Sequence, residues 1–154
     1  MTATADLYCK LTALPGGRLA FSVLFARKAP YFASVRPWVR DARSHHAEVV
    51  VRKRRAVTNH IGTVHVIAIC NGLEAAMGLL AESTVRDDRR WIPKGMSVDY
   101  TAKATSDILC TADTDPADWV DVGEVPVRVR AVRTDGVVVV QGVITLHVTE
   151  RPTR

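Results

Sequence analysis

Three polar side chains interrupt an apolar stretch between Gly62 and Glu82, and their types suit acid–base chemistry. They are His65, Asn71 and Glu74. A carboxylate buried among apolar groups without partners is costly, so it either gains a proton or finds hydrogen-bond donors. A carboxylate in that environment is suited to act as a general base.

The stretch that carries these side chains predicts one long helix beginning near Thr63, whose hydroxyl is a suitable N-cap. From Val64 to Ala81 the helix would be about 27 Å long at about 1.5 Å per residue. Apolar residues fall on nearly every side of it, which is typical of a buried helix. One side is mostly small, and we expect it to face a sheet. The residues of this side are Ala68, Gly72, Ala75, Ala76 and Leu79.

The spacing of the polar residues favours a site that two chains share. Asn71 and Glu74 are three positions apart and lie on one helix face. His65 and Glu74 are nine positions apart, so about 900° of rotation separates them by half a turn. One helix therefore cannot aim both at a single substrate. Two copies related by a two-fold axis could each contribute one of them.

Periodicity and turn residues predict the remaining elements. Helices are expected at 6–13 and 18–27, with Leu19, Val23 and Leu24 toward the core. Strands are expected at 31–39, 48–57, 92–103, 108–112, 123–133 and 137–148. A turn is expected at 41–45, and Asp135-Gly136 is a strong hairpin signal. The order predicts an α+β fold, with an antiparallel sheet wrapped around one long central helix. We expect one domain over 1–154, of which 1–28 is an N-terminal helical extension.

Composition and charge limit the kinds of ligand and partner that we expect for the protein. The 154 residues carry a formal net charge of +5, which favours an anionic partner. The basic run at 52–55 is either a solvated strand end or a phosphate contact, and no nucleic-acid motif accompanies it. Cys9, Cys70 and Cys110 lack metal-ligand spacing, so we expect no metal and reduced thiols in a cytoplasmic protein. Polar residues inside the long helix argue against a membrane span.

The segment from Asn59 to His65, followed by Glu74, resembles the hotdog-fold acyl-CoA thioesterases of the phenylacetate-pathway type and their uncharacterised relatives. Those proteins carry an Asn before the helix, a His at its start and a carboxylate nine residues later. The segment from Trp91 to Tyr100 also resembles their third strand. The resemblance covers roughly residues 31–148. Two departures are that Val66-Ile67 replace a Gly-Gly pair and that Glu74 replaces an Asp.

The resemblance implies hydrolysis of acyl-CoA or another acyl thioester without a cofactor, because coenzyme A enters as part of the substrate. Glu74 would activate water or attack directly, and Asn59 would orient the water or hold the substrate carbonyl. The helix start, with free amides and a positive dipole end, would stabilise the oxyanion. The implied catalytic residues are Glu74, Asn59 and His65, the implied oxyanion and substrate residues are Val66, Asn71 and Thr63, and the implied coenzyme A residues are Lys53, Arg54, Arg55, Arg90 and Lys94. The implied assembly is a homodimer or a dimer of dimers with the site between subunits.

Alternatives remain open from sequence. The same fold supports hydration or dehydration of a 3-hydroxyacyl thioester, and a chain with Val66-Ile67 in place of glycines could bind acyl-CoA without turnover. Glu74 could be a buried structural carboxylate bonded to Asn71 or to a partner chain. His65 could serve as a helix cap, and Asn59 could be a turn residue that bonds its own backbone.

Overall fold

The computed structural model describes residues 2–152, so Met1, Thr153 and Arg154 of the predicted domain lie outside the described part. Within this range the elements follow the predicted order of two helices, two strands, a long helix and four strands. The helices are α1 (Ala3–Thr12), α2 (Gly17–Lys28) and α3 (Val66–Thr84). The strands are β1 (Trp38–Arg43), β2 (His46–Val51), β3 (Arg89–Tyr100), β4 (Ile108–Asp113), β5 (Gly123–Arg133) and β6 (Val138–Glu150). Short 3₁₀ helices cover Pro30–Ser34, Arg55–Val57 and Pro116–Trp119.

The six strands form one antiparallel sheet in the order β1-β2-β4-β5-β6-β3, and α3 packs against one of its faces. The core joins buried residues of α3, such as Leu73 and Leu80, to Val49, Ile108 and Leu146 of the sheet. This arrangement confirms the predicted α+β hotdog architecture, in which a sheet encloses one long helix.

The small side of α3 faces the sheet, as predicted. A Cβ atom on Gly72 would lie 2.5 Å from Val51 Cγ2 and 2.8 Å from Cys110 Sγ, so the helix backbone approaches β2 and β4 closely at this residue. Ala75, Ala76 and Leu79 are fully buried. By length and composition α3 could also cross a membrane, but 67% of its most apolar window is buried inside the protein.

The predicted start of the long helix is wrong by two residues. The helix begins at Val66 with His65 as its N-cap, rather than with Thr63. The backbone before it is held extended, because Val64 N–H donates to Ala104 O at 2.8 Å and Thr63 O accepts from Asn59 N–H at 2.9 Å. These tertiary bonds outweigh the local preference of Thr63 for a capping position.

The first two strands also differ from the prediction. No strand begins at Tyr31, because Pro30 opens a 3₁₀ helix and β1 starts only after Pro37. Residues 41–43 belong to β1, and the turn is reduced to residues 44–45, with His45 in the left-handed region at φ 65°. β2 ends at Val51, so the basic run leaves the sheet instead of extending it.

Strand β3 lies at the edge of the sheet and carries a β-bulge between Pro93 and Gly95. The sequence predicts one alternating face from Ile92 to Ala102, but the bulge reverses the alternation. Ile92 pairs with exposed His147, whereas Met96 pairs with buried Ile144. Residues after the bulge, including Tyr100, therefore share the face of the sheet that carries α3.

Helix α2 presents a different face to the core than predicted. Leu19, Val23 and Leu24 are about half exposed, whereas Phe21 and Ser22 are buried. Ser22 Oγ accepts from the backbone N–H of Val39 at 2.9 Å, which ties α2 to β1. This bond and the larger apolar surface of Phe21 decide the orientation.

Gly142 of β6 is required by the close approach of β3, and its replacement tests this edge. A Cβ atom at this position would overlap the Ser97 carbonyl oxygen and lie 2.7 Å from Val98 Cα. We expect Gly142→Ala to lower the free energy of unfolding by about 3 kcal/mol, because backbone atoms cannot move aside as side chains do. Urea unfolding measures the change. Gly95→Ala is the matched control, since its Cβ would meet nothing within 4 Å, and an equal loss in both variants would contradict the prediction.

Candidate active site

The start of α3 forms a small cleft that brings together four of the residues predicted from sequence. The cleft has a volume of about 160 Å³. Its lining includes Asn59, Thr63, His65 and Val66, together with Tyr100 from the end of β3. The order of the strands explains this meeting, because β3 ends at the same edge of the molecule at which α3 begins.

His65 caps the helix through its side chain. Its Nδ1 atom accepts a hydrogen bond from Ile67 N–H at 3.1 Å. This bond requires an unprotonated Nδ1, so the neutral ring carries its proton on Nε2. The side chain is exposed, which leaves Nε2 available as a donor at the mouth of the cleft. The structure therefore gives His65 a structural role as a cap and leaves one ring nitrogen free for a substrate.

A substitution at His65 separates these two roles. We expect His65→Ala to lower the free energy of unfolding by about 1 kcal/mol, because Ala cannot accept from the first-turn amide. His65→Asn should retain most of the stability, since Asn is among the preferred N-caps. Urea unfolding of both variants measures the difference. Equal destabilisation by Ala and Asn would contradict the capping role.

Asn59 folds the loop that precedes the helix. Its Oδ1 accepts from Ile61 N–H at 3.2 Å and from Thr63 N–H at 3.1 Å, and its Nδ2 donates to Thr63 Oγ1 at 2.8 Å. Gly62 adopts a left-handed φ of 76° within the same loop. These bonds make Asn59 a turn residue in this structure, with one Nδ2 proton still directed to no partner within residues 2–152.

The first helical amide is free. Within the described range no acceptor is found for Val66 N–H, while Ile67 N–H is bonded to the His65 side chain and Ala68 N–H to His65 O. A free amide at a helix N-terminus, at the positive end of the helix dipole, is suited to an oxyanion. The replacement of glycine by valine at this position leaves the amide in place.

Glu74 lies elsewhere on the helix. Nine residues separate it from His65, which corresponds to about 13.5 Å along the axis and half a turn around it. Its side chain is half-buried. Among residues 2–152 it has no hydrogen-bond or ion-pair partner. One protomer therefore keeps Glu74 apart from the cleft that contains His65 and Asn59.

Cys70 lies one helical turn before Glu74 and near the Tyr100 hydroxyl, and the sequence alone does not predict a role for Cys70 or Tyr100. Burial raises the pKa of the Cys70 thiol, the hydroxyl of Tyr100 acts against this, and the Glu74 carboxylate raises it further. The thiol is therefore protonated at neutral pH and not a nucleophile. The spacing of four residues between Cys70 and Glu74 could have indicated their shared face, but the position of Tyr100 depends on the bulge in β3.

Asn71 does not bond to Glu74. Its Nδ2 donates to Tyr31 O at 3.3 Å and to Ser34 Oγ at 3.1 Å, so it ties α3 to the 3₁₀ helix Pro30–Ser34. Its Oδ1 is buried and has no donor in the described part of the chain. The geometry gives Asn71 a supporting role at the helix surface.

The five predicted phosphate contacts are not gathered at one place. Lys53 and Arg54 bond Thr105 O and Ser34 O near the start of α3, and exposed Arg55 follows them. Arg90 lies at the opposite end of the sheet, because it begins β3 and bonds Thr149 Oγ1 at the end of β6. Lys94 forms an ion pair with Glu124 on β5. Within residues 2–152, no cluster of three or more His, Cys, Asp or Glu side chains could hold a metal.

Comparison with known proteins places the chain in a family. Residues 17–148 match the family described as Domain of unknown function (DUF4442). A solved structural-genomics target is 38% identical, with a TM-score of 0.85 over 96% of this chain and 99% of that one. No curated protein matches the chain.

More distant structures share the fold. A protein of unknown function from Pseudomonas aeruginosa, described as a probable thioesterase, is 17% identical with a TM-score of 0.76, over 90% of this chain and 97% of that one. A thioesterase family protein from Silicibacter pomeroyi is also 17% identical, with a TM-score of 0.70 over 84% and 96% of the two chains. The chain is thus a member of the DUF4442 family, built on the hotdog fold of thioesterase-family proteins.

Proposed function

We propose that the protein hydrolyses an acyl-CoA or a related acyl thioester at a site shared by two protomers. The observation that carries this proposal is the half-buried Glu74 carboxylate, which lacks a partner within residues 2–152 and lies one helical turn after Cys70. A carboxylate kept free in such surroundings is available to accept a proton from water. The shared fold with proteins described as thioesterases supports the same reaction class.

The reaction follows from these groups. Glu74 accepts a proton from water as the water oxygen attacks the thioester carbonyl carbon. The carbonyl oxygen becomes an oxyanion, which the free amide of the partner subunit's Val66 stabilises with the helix dipole. Collapse of the tetrahedral intermediate breaks the carbon–sulfur bond, and the proton held by Glu74 passes to the leaving thiolate. The products are a carboxylic acid and a thiol.

Two protomers are needed because Glu74 and the start of α3 are about 13.5 Å apart along one helix. Edge strand β3 offers a surface for the second protomer. It is twelve residues long, and Ile92, Met96 and Tyr100 are 61%, 37% and 61% exposed. A long edge strand with exposed apolar residues is suited to pairing with another strand. Antiparallel pairing of two β3 strands would bring the two α3 helices near one another in opposite directions.

The positions of the basic residues on the fold decide which of them could bind the phosphates of coenzyme A. Lys53 and Arg55 lie near the start of α3, where the oxyanion would sit. We assign the phosphates to these two residues, because their exposed cations face solvent at that end of the molecule. Arg90 and Lys94 lie too far along β3 to join them at one phosphate group.

A thiol-release assay over a panel of saturated and aryl acyl-CoAs tests the proposal. We expect thiol release from at least one acyl group, and no release across the panel would contradict it. Absorbance of an enoyl thioester is followed in parallel. Loss of the double bond without thiol release would replace the proposal with a hydratase. Tight acyl-CoA binding without either reaction would replace it with a binding protein.

A further inference from the structure

A larger apolar groove lies beside the C-terminal half of α3. Its volume is about 370 Å³. Helices α1 and α2 and the 3₁₀ helix Pro30–Ser34 form one wall, α3 forms the floor, and β3 closes the other side. The side chains and backbone that define it come from Leu7, Leu24, Phe25, Phe32, Gly78 and Trp91. A concave apolar surface of this size is typical of small-molecule sites.

The charges at the rim of the groove neutralise one another. Lys28 Nζ lies 2.9 Å from Glu82 Oε2, and Trp91 Nε1 donates to Glu82 Oε1 at 3.2 Å. Both carboxylate oxygens of Glu82 are thereby occupied. The groove is consequently suited to an uncharged, apolar ligand. Lys28 and Glu82 already pair with each other, so neither is free to pair with a charged ligand.

The groove lies on the same face of α3 as Glu74 and reaches Gly78, four residues after it. Glu74, Gly78 and Glu82 follow at intervals of four residues, so they lie almost in line and about 6 Å apart along the axis. Gly78 has no side chain to block the passage. A Cβ atom there would come within 3.7 Å of the Trp91 ring and would meet no closer atom. Gly78 is buried and lines the groove, which therefore comes within one helical turn of the Glu74 position on α3.

We propose that this groove binds the hydrocarbon tail of the substrate, an unbranched fatty acyl chain that runs from the thioester at Glu74 over Gly78 toward Trp91. The inference rests on the proposed function and names its substrate class. Because the groove has a finite volume of about 370 Å³, it limits the length of the chain that it can hold. Leu7 of α1 lies outside the family match at 17–148, so chain-length selection would depend partly on a helix beyond it.

Two measurements on the intact protein test the inference. The first is kcat/KM for thiol release from saturated acyl-CoAs between butyryl and palmitoyl. The second is calorimetric binding of the corresponding unesterified fatty acids, which needs no turnover. We expect both to rise by up to about fourfold per methylene until the groove is full, and then to level off or fall. A flat dependence on chain length in both measurements would overturn the inference.

Variants of the groove locate the tail. Gly78→Leu should fill the floor and lower kcat/KM for the longest accepted chain at least about tenfold relative to butyryl. Gly78→Ala, whose Cβ makes an ordinary contact, should shift the optimum in the same direction by a smaller amount. Leu24→Ala should move the optimum to longer chains. Leu19→Ala is the matched control, because Leu19 lies on the same helix with similar exposure, outside the groove.

The outcomes separate this inference from the proposed function. If the protein binds fatty acids, Gly78→Leu weakens this binding and no thioester is hydrolysed, the groove is a fatty acid site. The proposed thioesterase activity is then wrong. If the protein hydrolyses acyl-CoAs but the chain-length profile is the same in Gly78→Leu, Gly78→Ala and Leu24→Ala, the proposed reaction stands. The assignment of the acyl chain to the groove is then wrong.

Discussion

Replacing Glu74 by Gln should lower kcat/KM for thioester hydrolysis by about 10²–10⁴, because the amide cannot accept a proton from water. The change preserves shape and leaves no ion pair broken, since Glu74 has no ion-pair partner among residues 2–152. Thiol release with the best acyl-CoA measures the loss, and urea unfolding should be nearly unchanged.

Glu48→Gln provides the matched control for this substitution. Glu48 is also half-buried, but it lies on β2 beside Arg40 and His46. We expect its replacement to leave hydrolysis within about twofold of the parent protein, although it alters a surface ion pair. Similar activity losses in the two variants would indicate a general effect of charge, and an active Glu74→Gln enzyme would reject the catalytic role.

Replacing Val66 by Pro should lower kcat by about 10²–10³, because it deletes the single backbone donor proposed for the oxyanion. Val66 is the first helical residue, where proline is well tolerated. His65 already has the extended ψ of 133° that a following proline prefers. The fold should therefore persist. Val66→Ala retains the amide and serves as the control, and full activity of Val66→Pro would place the oxyanion elsewhere.

Combining these two inactive proteins tests whether the site is shared. In a dimer of one Glu74→Gln and one Val66→Pro protomer, one of the two shared sites would contain both intact groups. Statistical mixing of the subunits should restore about a quarter of the parent activity. A site contained within one protomer would restore none, because every chain would carry one of the two changes.

The strands that follow strict alternation could be predicted closely from sequence. β5 is found at Gly123–Arg133 as expected, because buried Val125, Val127, Val129 and Ala131 alternate with outward residues before the register shifts at Val132, and Asp135-Gly136 forms the turn to β6. The bounds of β1 and the orientation of the side chains of β3 could not be predicted as closely. The 3₁₀ helix that begins at Pro30 replaces most of the strand expected at 31–39, and the bulge after Pro93 reverses the faces of β3. A bulge adds one residue to a ladder, which no single-strand pattern reveals.

Some features of the candidate site could likewise be predicted from sequence, and others could not. The half-turn between His65 and Glu74 follows from helix geometry alone, and the structure keeps them apart as expected. The capping bond of His65 and the turn bonds of Asn59 depend on where the loop meets Ala104 and Thr63. The separation of Arg90 from Arg55 depends on the order and pairing of the strands, which the charge pattern does not reveal.

The long helix has a further consequence for how the chain is made. α3 ends at Thr84, but three of the strands that cover it, β4, β5 and β6, lie after residue 107. A ribosome releases the helix while its apolar surface still has no cover on that side, and β4, β5 and β6 must later fill the sheet between β2 and β3. All native strand pairs except β1–β2 therefore wait for the last third of synthesis. Chains shortened before β4 should bind chaperones and aggregate, whereas the complete chain should not.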